Sequence, residues 1–168
     1  MATPRDRRLH SDHEKVLRLI SESGGTLRLV STGGRPPTTY VVEYHCPSLV
    51  KDELGAIAIR DKHQVEITLG MNYPFGQPAA RMLTPVFNPH VYRHNAICLG
   101  VVWSAADTLD TLVLRIGALL QLDPRVLDAR SPANGEANRW VQENRSRIPL
   151  GKVRFKAAAQ PPGRIEWS

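Results

Sequence analysis

Residues 71–106 read MNYPFGQPAARMLTPVFNPHVYRHNAICLGVVWSAA, and this stretch decides the fold. Pro74, Pro78, Pro85 and Pro89 forbid a regular helix through it, and Gly76 and Gly100 add turns. It is too long and too apolar to be a linker. A proline-fixed, ordered loop of this length inside a compact domain is usually functional. Its single thiol, Cys98, stands between Ile97 and Leu99.

Upstream, Pro4 to Ser23 reads as an amphipathic helix. Leu9, His13, Val16, Leu17 and Ile20 are expected on its inner face, with Arg7, Arg8, Lys15 and Arg18 outside. Gly24-Gly25 ends it. Strands follow. A short one carries Leu27 and Leu29, a turn spans Thr32 to Pro37, and a second strand runs from Thr38 to His45. Ile57-Ala58-Ile59 and Val65 to Leu69 flank an expected polar turn at Asp61-Lys62, and Ala80 to Thr84 supplies a fourth strand. Successive strands with short turns predict an antiparallel meander.

Downstream, Leu109, Leu112, Val113, Ile116, Leu119 and Leu120 form a wide apolar stripe, with Asp107-Thr108 as candidate caps and Asp123-Pro124 as the stop. A third helix is expected from Asn134 to Arg147, with Ala137, Trp140 and Val141 inward. The fold class is therefore α+β: N-terminal helix, four-stranded antiparallel meander, irregular proline-fixed loop, C-terminal helices. One domain is expected over 1–150, with a basic, proline-containing tail over 151–168.

Composition narrows the function. The chain has 168 residues, 42% of them hydrophobic, enough for a full core without staples. A net charge of +6 favours acidic partners, but aromatics are only 6% and no basic block interleaves with them, which argues against nucleic acid. No apolar run opens the chain or reaches membrane-spanning length, so no membrane partner and a cytoplasmic, reducing setting are expected. Two cysteines, Cys46 and Cys98, then remain as thiols. His90, His94 and Cys98 would share one face of a helix, but Pro89 argues against a helix there and no second ligand cluster exists, so neither metal nor cofactor is expected. A cysteine hydrolase lacks its helix-opening nucleophile and third orienting residue.

The motifs, taken in order, resemble the ubiquitin-conjugating enzyme family over roughly residues 5–147. Tyr73-Pro74-Phe75 with Pro78 is similar to the family's Tyr-Pro turn and aromatic loop. Phe87-Asn88-Pro89-His90-Val91-Tyr92 is similar to its Phe-His-Pro-Asn-Val-Tyr segment, and Ile97-Cys98-Leu99 to its active-site core. The resemblance implies a carrier that accepts a ubiquitin-like protein from an activating enzyme as a Cys98 thioester. It passes this cargo to an amine on a protein target, with or without a ligase. It assigns Cys98 as nucleophile, with His90 and Asn88 as further catalytic candidates. Asn88 is expected to brace the loop. His90 stands where the family has the asparagine credited with supporting the oxyanion. It is read either as an N–H donor or proton acceptor, or as a hydrogen-bonding member of the loop. Arg5, Arg7, Arg8 and Lys15 match the family's activating-enzyme docking face, or are merely solvated. Phe75 and Trp103 match its ligase-docking loops.

Two further departures stand out. Asn95 replaces a common glycine, at a turn that asparagine tolerates. The loop between Cys98 and Trp103 is about three residues shorter than in many relatives of that family. Both imply a divergent member, for which a bacterial ubiquitination-like operon is one source. The alternative reading is the same fold used as an inactive binding module.

Overall fold

The computed structural model describes residues 1–148 and 153–156. Helix α1 spans Pro4–Glu22. Its start is sealed by a reciprocal pair: the Asp6 amide donates to the Thr3 hydroxyl at 3.0 Å, and the Thr3 amide donates to the Asp6 carboxylate at 2.9 Å. Its buried face consists of Leu9, Asp12, Val16 and Leu19. Leu17, expected inside, is exposed. It lies about 80° around the helix from Leu9, so the contact stripe is rotated towards Asp12 and Leu19.

Four antiparallel strands follow, paired in chain order: β1 (Leu27–Gly33), β2 (Thr39–Lys51), β3 (Ile57–Thr68) and β4 (Ala79–Met82). The polar turn expected at Asp61-Lys62 does not exist, because β3 runs straight through it. Instead β2 carries one extra residue between His45 and Ser48, opposite Lys62 and Arg60. Pro47 sits in that bulge, where no ladder amide is needed. The real hairpin turn follows Lys51, where the Asp52 carboxylate accepts the Leu54 and Ala56 amides at 2.9 and 2.8 Å. Residues 57–62 are largely exposed, which is why their polarity imitates a turn.

Helix α2 (Leu109–Leu120) buries seven residues against the sheet and α1. Two side chains from β2 tie it down through its own carbonyls. The Tyr44 hydroxyl donates to Val113 at 2.8 Å and the Ser48 hydroxyl to Leu120 at 2.7 Å. Thr108 occupies the cap position, but its side chain makes no capping bond. The Leu109 amide donates instead to the buried Asp12 carboxylate of α1, at 3.3 Å. Asp12 also accepts from Arg8 and from the Tyr73 hydroxyl, so one buried carboxylate joins α1, α2 and the loop before β4.

Helix α3 (Gly135–Glu143) is capped by Asn134 and gives way to a 3₁₀ turn at Arg145–Arg147, so it is shorter than expected. Ala137 and Val141 are buried, whereas Trp140 is half-buried, its ring 6.4 Å from Phe87. The packed unit also continues past residue 150. Phe155 is buried in the main core against Tyr44, and the Gln121 side chain exchanges two 3.0 Å hydrogen bonds with the Val153 backbone. The rest of the expected tail lies outside the described residues.

Candidate active site

The segment around Cys98 is an irregular extension of the sheet beyond β4. The Ile97 amide donates to Ala80 at 2.9 Å and the Met82 amide to Asn95 at 2.8 Å. Tyr92 to Ala96 closes a tight turn with Asn95 at φ 74°, the left-handed conformation its side chain tolerates. Ile97 and Leu99 are buried on the core side, so alternation turns Cys98 to the opposite side, where it is half-buried. Its sulfur opens on a cleft of about 480 Å³ lined by Gln77, His90, Val102, Asp128 and Ser131, among others.

Asn88, His90 and Cys98 do come together, through backbone contacts. Buried Asn88 donates from Nδ2 to the Leu119 carbonyl and accepts the His90 amide on Oδ1, both at 2.8 Å. Cys98 donates its amide to the His90 carbonyl at 2.7 Å. The His90 ring is 2.9 Å from the Cys98 carbonyl through Nδ1 and 3.0 Å from the Asp128 amide through Nε2. An amide can only donate, so Nε2 accepts and Nδ1 carries the proton. Both ring nitrogens are thereby occupied, and neither is directed at the sulfur. Of the readings open for His90, this geometry favours the loop hydrogen bond over the proton acceptor.

A residue that the motifs did not mark completes the grip. Arg115 of α2 donates through Nε to the Leu99 carbonyl at 2.6 Å and through Nη2 to the Gly100 carbonyl at 3.1 Å. Its signal was present in the sequence: it is the one charged residue in the otherwise apolar run from Leu112 to Leu120. Asp128 lies on the cleft wall and accepts the Arg130 amide at 3.0 Å.

The other cysteine is a core residue. Cys46 lies buried in β2, and burial pushes its thiol up to about 12, so it stays protonated and inaccessible near neutrality.

The expected docking residues divide. Phe75 and Met71 are almost wholly exposed beside a groove of about 290 Å³ that also touches Pro4, Arg5, Arg8 and Tyr73. Trp103 is anchored to two residues of that groove, its indole donating to the Pro74 carbonyl at 2.7 Å and its ring 5.9 Å from Tyr73. Arg8 is not a free docking charge. It is committed to Asp12 and to the carbonyls of Ala105 and Asp107. Arg5 donates to the Gly70 carbonyl and Arg7 to the Ala2 carbonyl, each at 3.0 Å. Lys15 is half-buried on α1. Among the described residues, no group of side chains could hold a metal ion, and no helix is long and apolar enough to cross a membrane.

Comparison with known proteins agrees with this architecture. The crystal structure of a protein from Plasmodium yoelii, described as a candidate ubiquitin conjugating enzyme, superposes with a TM-score of 0.58. It is 22% identical and matches over 83% of this chain and 86% of that one, a likeness of fold. Ubiquitin-conjugating enzyme E2 K of Homo sapiens is 38% identical over 63 residues, covering 35% of this chain and 32% of that protein. Ubiquitin-conjugating enzyme E2 pex4 of Dictyostelium discoideum is 32% identical over 85 residues, covering 48% and 54%. Ubiquitin-conjugating enzyme E2 13 of Saccharomyces cerevisiae is 35% identical over 82 residues, covering 47% and 52%. The chain thus spans from a third to about half the length of the curated relatives it matches. The sequence model of the family described as "Ubiquitin-conjugating enzyme" matches residues 60–150, more than half of the chain and including the whole Cys98 loop, so the chain belongs to the ubiquitin-conjugating enzyme family.

Proposed function

We propose that this protein carries a ubiquitin-like protein as a thioester on Cys98 and transfers it to an amine, most often a lysine, of a target protein. The observation that carries the reading is the placement of Cys98. It is the only cysteine with a sulfur facing a cleft, on a loop whose backbone is held by Asn88, His90 and Arg115. A thiol suits both halves of the task, since thiolate attacks an incoming thioester and leaves readily when an amine attacks in turn. Asp128 contributes a carboxylate to the cleft wall, where an approaching ammonium would meet it.

The partners are an activating enzyme that loads Cys98, a ubiquitin-like protein, a target and, in some settings, a ligase. Arg5, Arg7 and Lys15 on α1 and the Phe75–Met71 groove with Trp103 form the docking surface for the first and last of these. An exposed aromatic and an exposed thioether beside an apolar groove have the composition of a binding anchor.

One observation favours the inactive binding module instead. His90 replaces the expected side-chain oxyanion donor, and its nitrogens are both occupied. A charging assay separates the readings. The protein is incubated with an activating enzyme, ATP and ubiquitin-like protein, then run on reducing and non-reducing gels. A thiol-sensitive adduct that is lost in Cys98→Ala supports the carrier. No adduct from a competent activating enzyme leaves the binding module.

A further inference from the structure

Transfer from a thioester builds negative charge on the carbonyl oxygen, and His90 has no nitrogen left to receive it. We propose that the backbone amides of Gly100 and Val101 supply the oxyanion donors in this protein, with Arg115 as the positioning residue that aims them. The inference rests on the carrier reading of Cys98.

The geometry follows from the planarity of the peptide bond. In a trans peptide, the carbonyl of one residue and the amide of the next point in opposite directions. Arg115 holds the carbonyls of Leu99 and Gly100. The amides in those same two planes belong to Gly100 and Val101, and they point away from Arg115. Neither has a hydrogen-bond partner among the described residues. Arg115 borders one hollow with Val101, Val102, Asp107, Thr111 and Leu112, while Gly100, Val101 and Val102 also line the cleft that holds Cys98, His90 and Asp128. On this proposal the amides directed away from Arg115 face that second cleft.

Two details show that this turn is built for close approach. Gly100 has φ 65°, and a Cβ there would fall 3.2 Å from the His90 ring and 3.3 Å from Arg115 Nη2. The turn is thus pinched between the two side chains that hold its carbonyls. His90 takes the carbonyl of Cys98, and Arg115 takes the next two.

In the step itself, the amine nitrogen forms a bond to the thioester carbonyl carbon, and the π pair moves onto oxygen. The Gly100 and Val101 amides would hold that charge. As the pair returns, the C–S bond breaks and its electrons leave on the Cys98 sulfur. The nitrogen loses one proton to water, the sulfur takes one up, and an amide and a free thiol result.

The test uses small probes that need no partner protein. p-Nitrophenyl acetate acylates a cysteine through the same kind of oxyanion, whereas iodoacetamide alkylates the same sulfur by displacement without one. Cys46 is too buried to contribute. Arg115→Ala is expected to slow acylation of Cys98 by about 10- to 100-fold while changing alkylation by no more than about 2-fold, and Arg115→Lys, which keeps the charge with one donor head, should fall between. Aminolysis of acetylated Cys98 by hydroxylamine should slow in parallel. If acylation and alkylation fall together, Arg115 only supports the loop and the inference is overturned. Unchanged acylation in both variants overturns it too. Should the alanine variant not fold, the ratio of the two rates in Arg115→Lys and Arg115→Gln decides. A protein that shows the expected split yet is charged by no ubiquitin-like protein would sink the carrier reading and support the amide assignment.

Discussion

Cys98 and His90 hold each other twice: the Cys98 amide donates to the His90 carbonyl at 2.7 Å, and the His90 ring donates back to the Cys98 carbonyl. With the Asp128 amide on the far nitrogen, the imidazole links three parts of the site. His90→Ala would leave a partly buried carbonyl and a partly buried amide without those partners, at a cost of about 1–3 kcal/mol. Charging should survive, because the sulfur is untouched, and discharge to lysine should slow. Denaturant unfolding and single-turnover discharge measure the two effects; a variant that matches wild type in both would refute the bracing role.

The two thiols should behave oppositely. Cys98→Ser is expected to convert the labile adduct into an oxyester that resists thiol reductants, and Cys98→Ala to remove it. Cys46→Ala should still charge. Its cost is a modest loss of stability, about 1 kcal/mol for a small buried side chain. Gels run with and without reductant, beside thermal melts, read both.

Gly117 and Phe155 form a fitted pair. A Cβ on Gly117 would lie 2.3 Å from the Phe155 ring, so α2 must be notched for the ring to enter. Gly117→Ala should cost about 1–3 kcal/mol through overpacking. In a Phe155→Ala background the same change should cost far less. Additive losses in the double-mutant cycle would show that the two residues do not meet in solution.

Asp12 is the buried junction of α1, α2 and Tyr73. Asp12→Ala strands the half-buried Arg8 and the Tyr73 hydroxyl, and should cost about 3–5 kcal/mol. It should also loosen the Phe75 loop that Tyr73 anchors. Faster proteolysis near residues 71–76, read by mass spectrometry, checks the second effect.

His63 gives a pH dependence. It is fully buried on β3, its Nε2 donates to the Arg60 carbonyl at 2.7 Å, and its Nδ1 has no partner among the described residues. Burial lowers its pKa from the ordinary 6.5 by disfavouring the charged ring. The unfolded chain therefore takes up the proton first. His63 costs no stability above about pH 6.5, and stability falls as the pH drops below that value towards the folded pKa. Thermal midpoints between pH 7 and 5 should fall more steeply in wild type than in His63→Gln. Parallel slopes would show that His63 ionises equally in both states.

Several features were legible before any contact was known, and each depends on local chemistry. The apolar stripe from Leu109 to Leu120 has helical period and a stop at Asp123-Pro124, and α2 covers that span. The order of helix, meander, loop and helices follows from alternation, proline and glycine. Asn95 in a left-handed turn is a property of its own side chain.

Errors arose where a distant neighbour overrides the local signal. Asp61-Lys62 has turn composition, but β2 pairs across it. Thr108 does take the cap position of α2, but its side chain makes no capping bond, and a carboxylate from α1 takes the Leu109 amide instead. Arg8 has the composition of a solvated helix charge, but three internal acceptors hold its guanidinium.

Periodicity, breakers and motif order along the chain were thus enough to specify an α+β domain with a thiol on a braced loop. They could not say which groups on that loop are free to act. That depended on which donors α2 and the segment before α3 bring to the loop. Arg115 and the Asp128 amide reach it from 16 and 38 residues away in sequence, and partners at such separations leave no periodic trace.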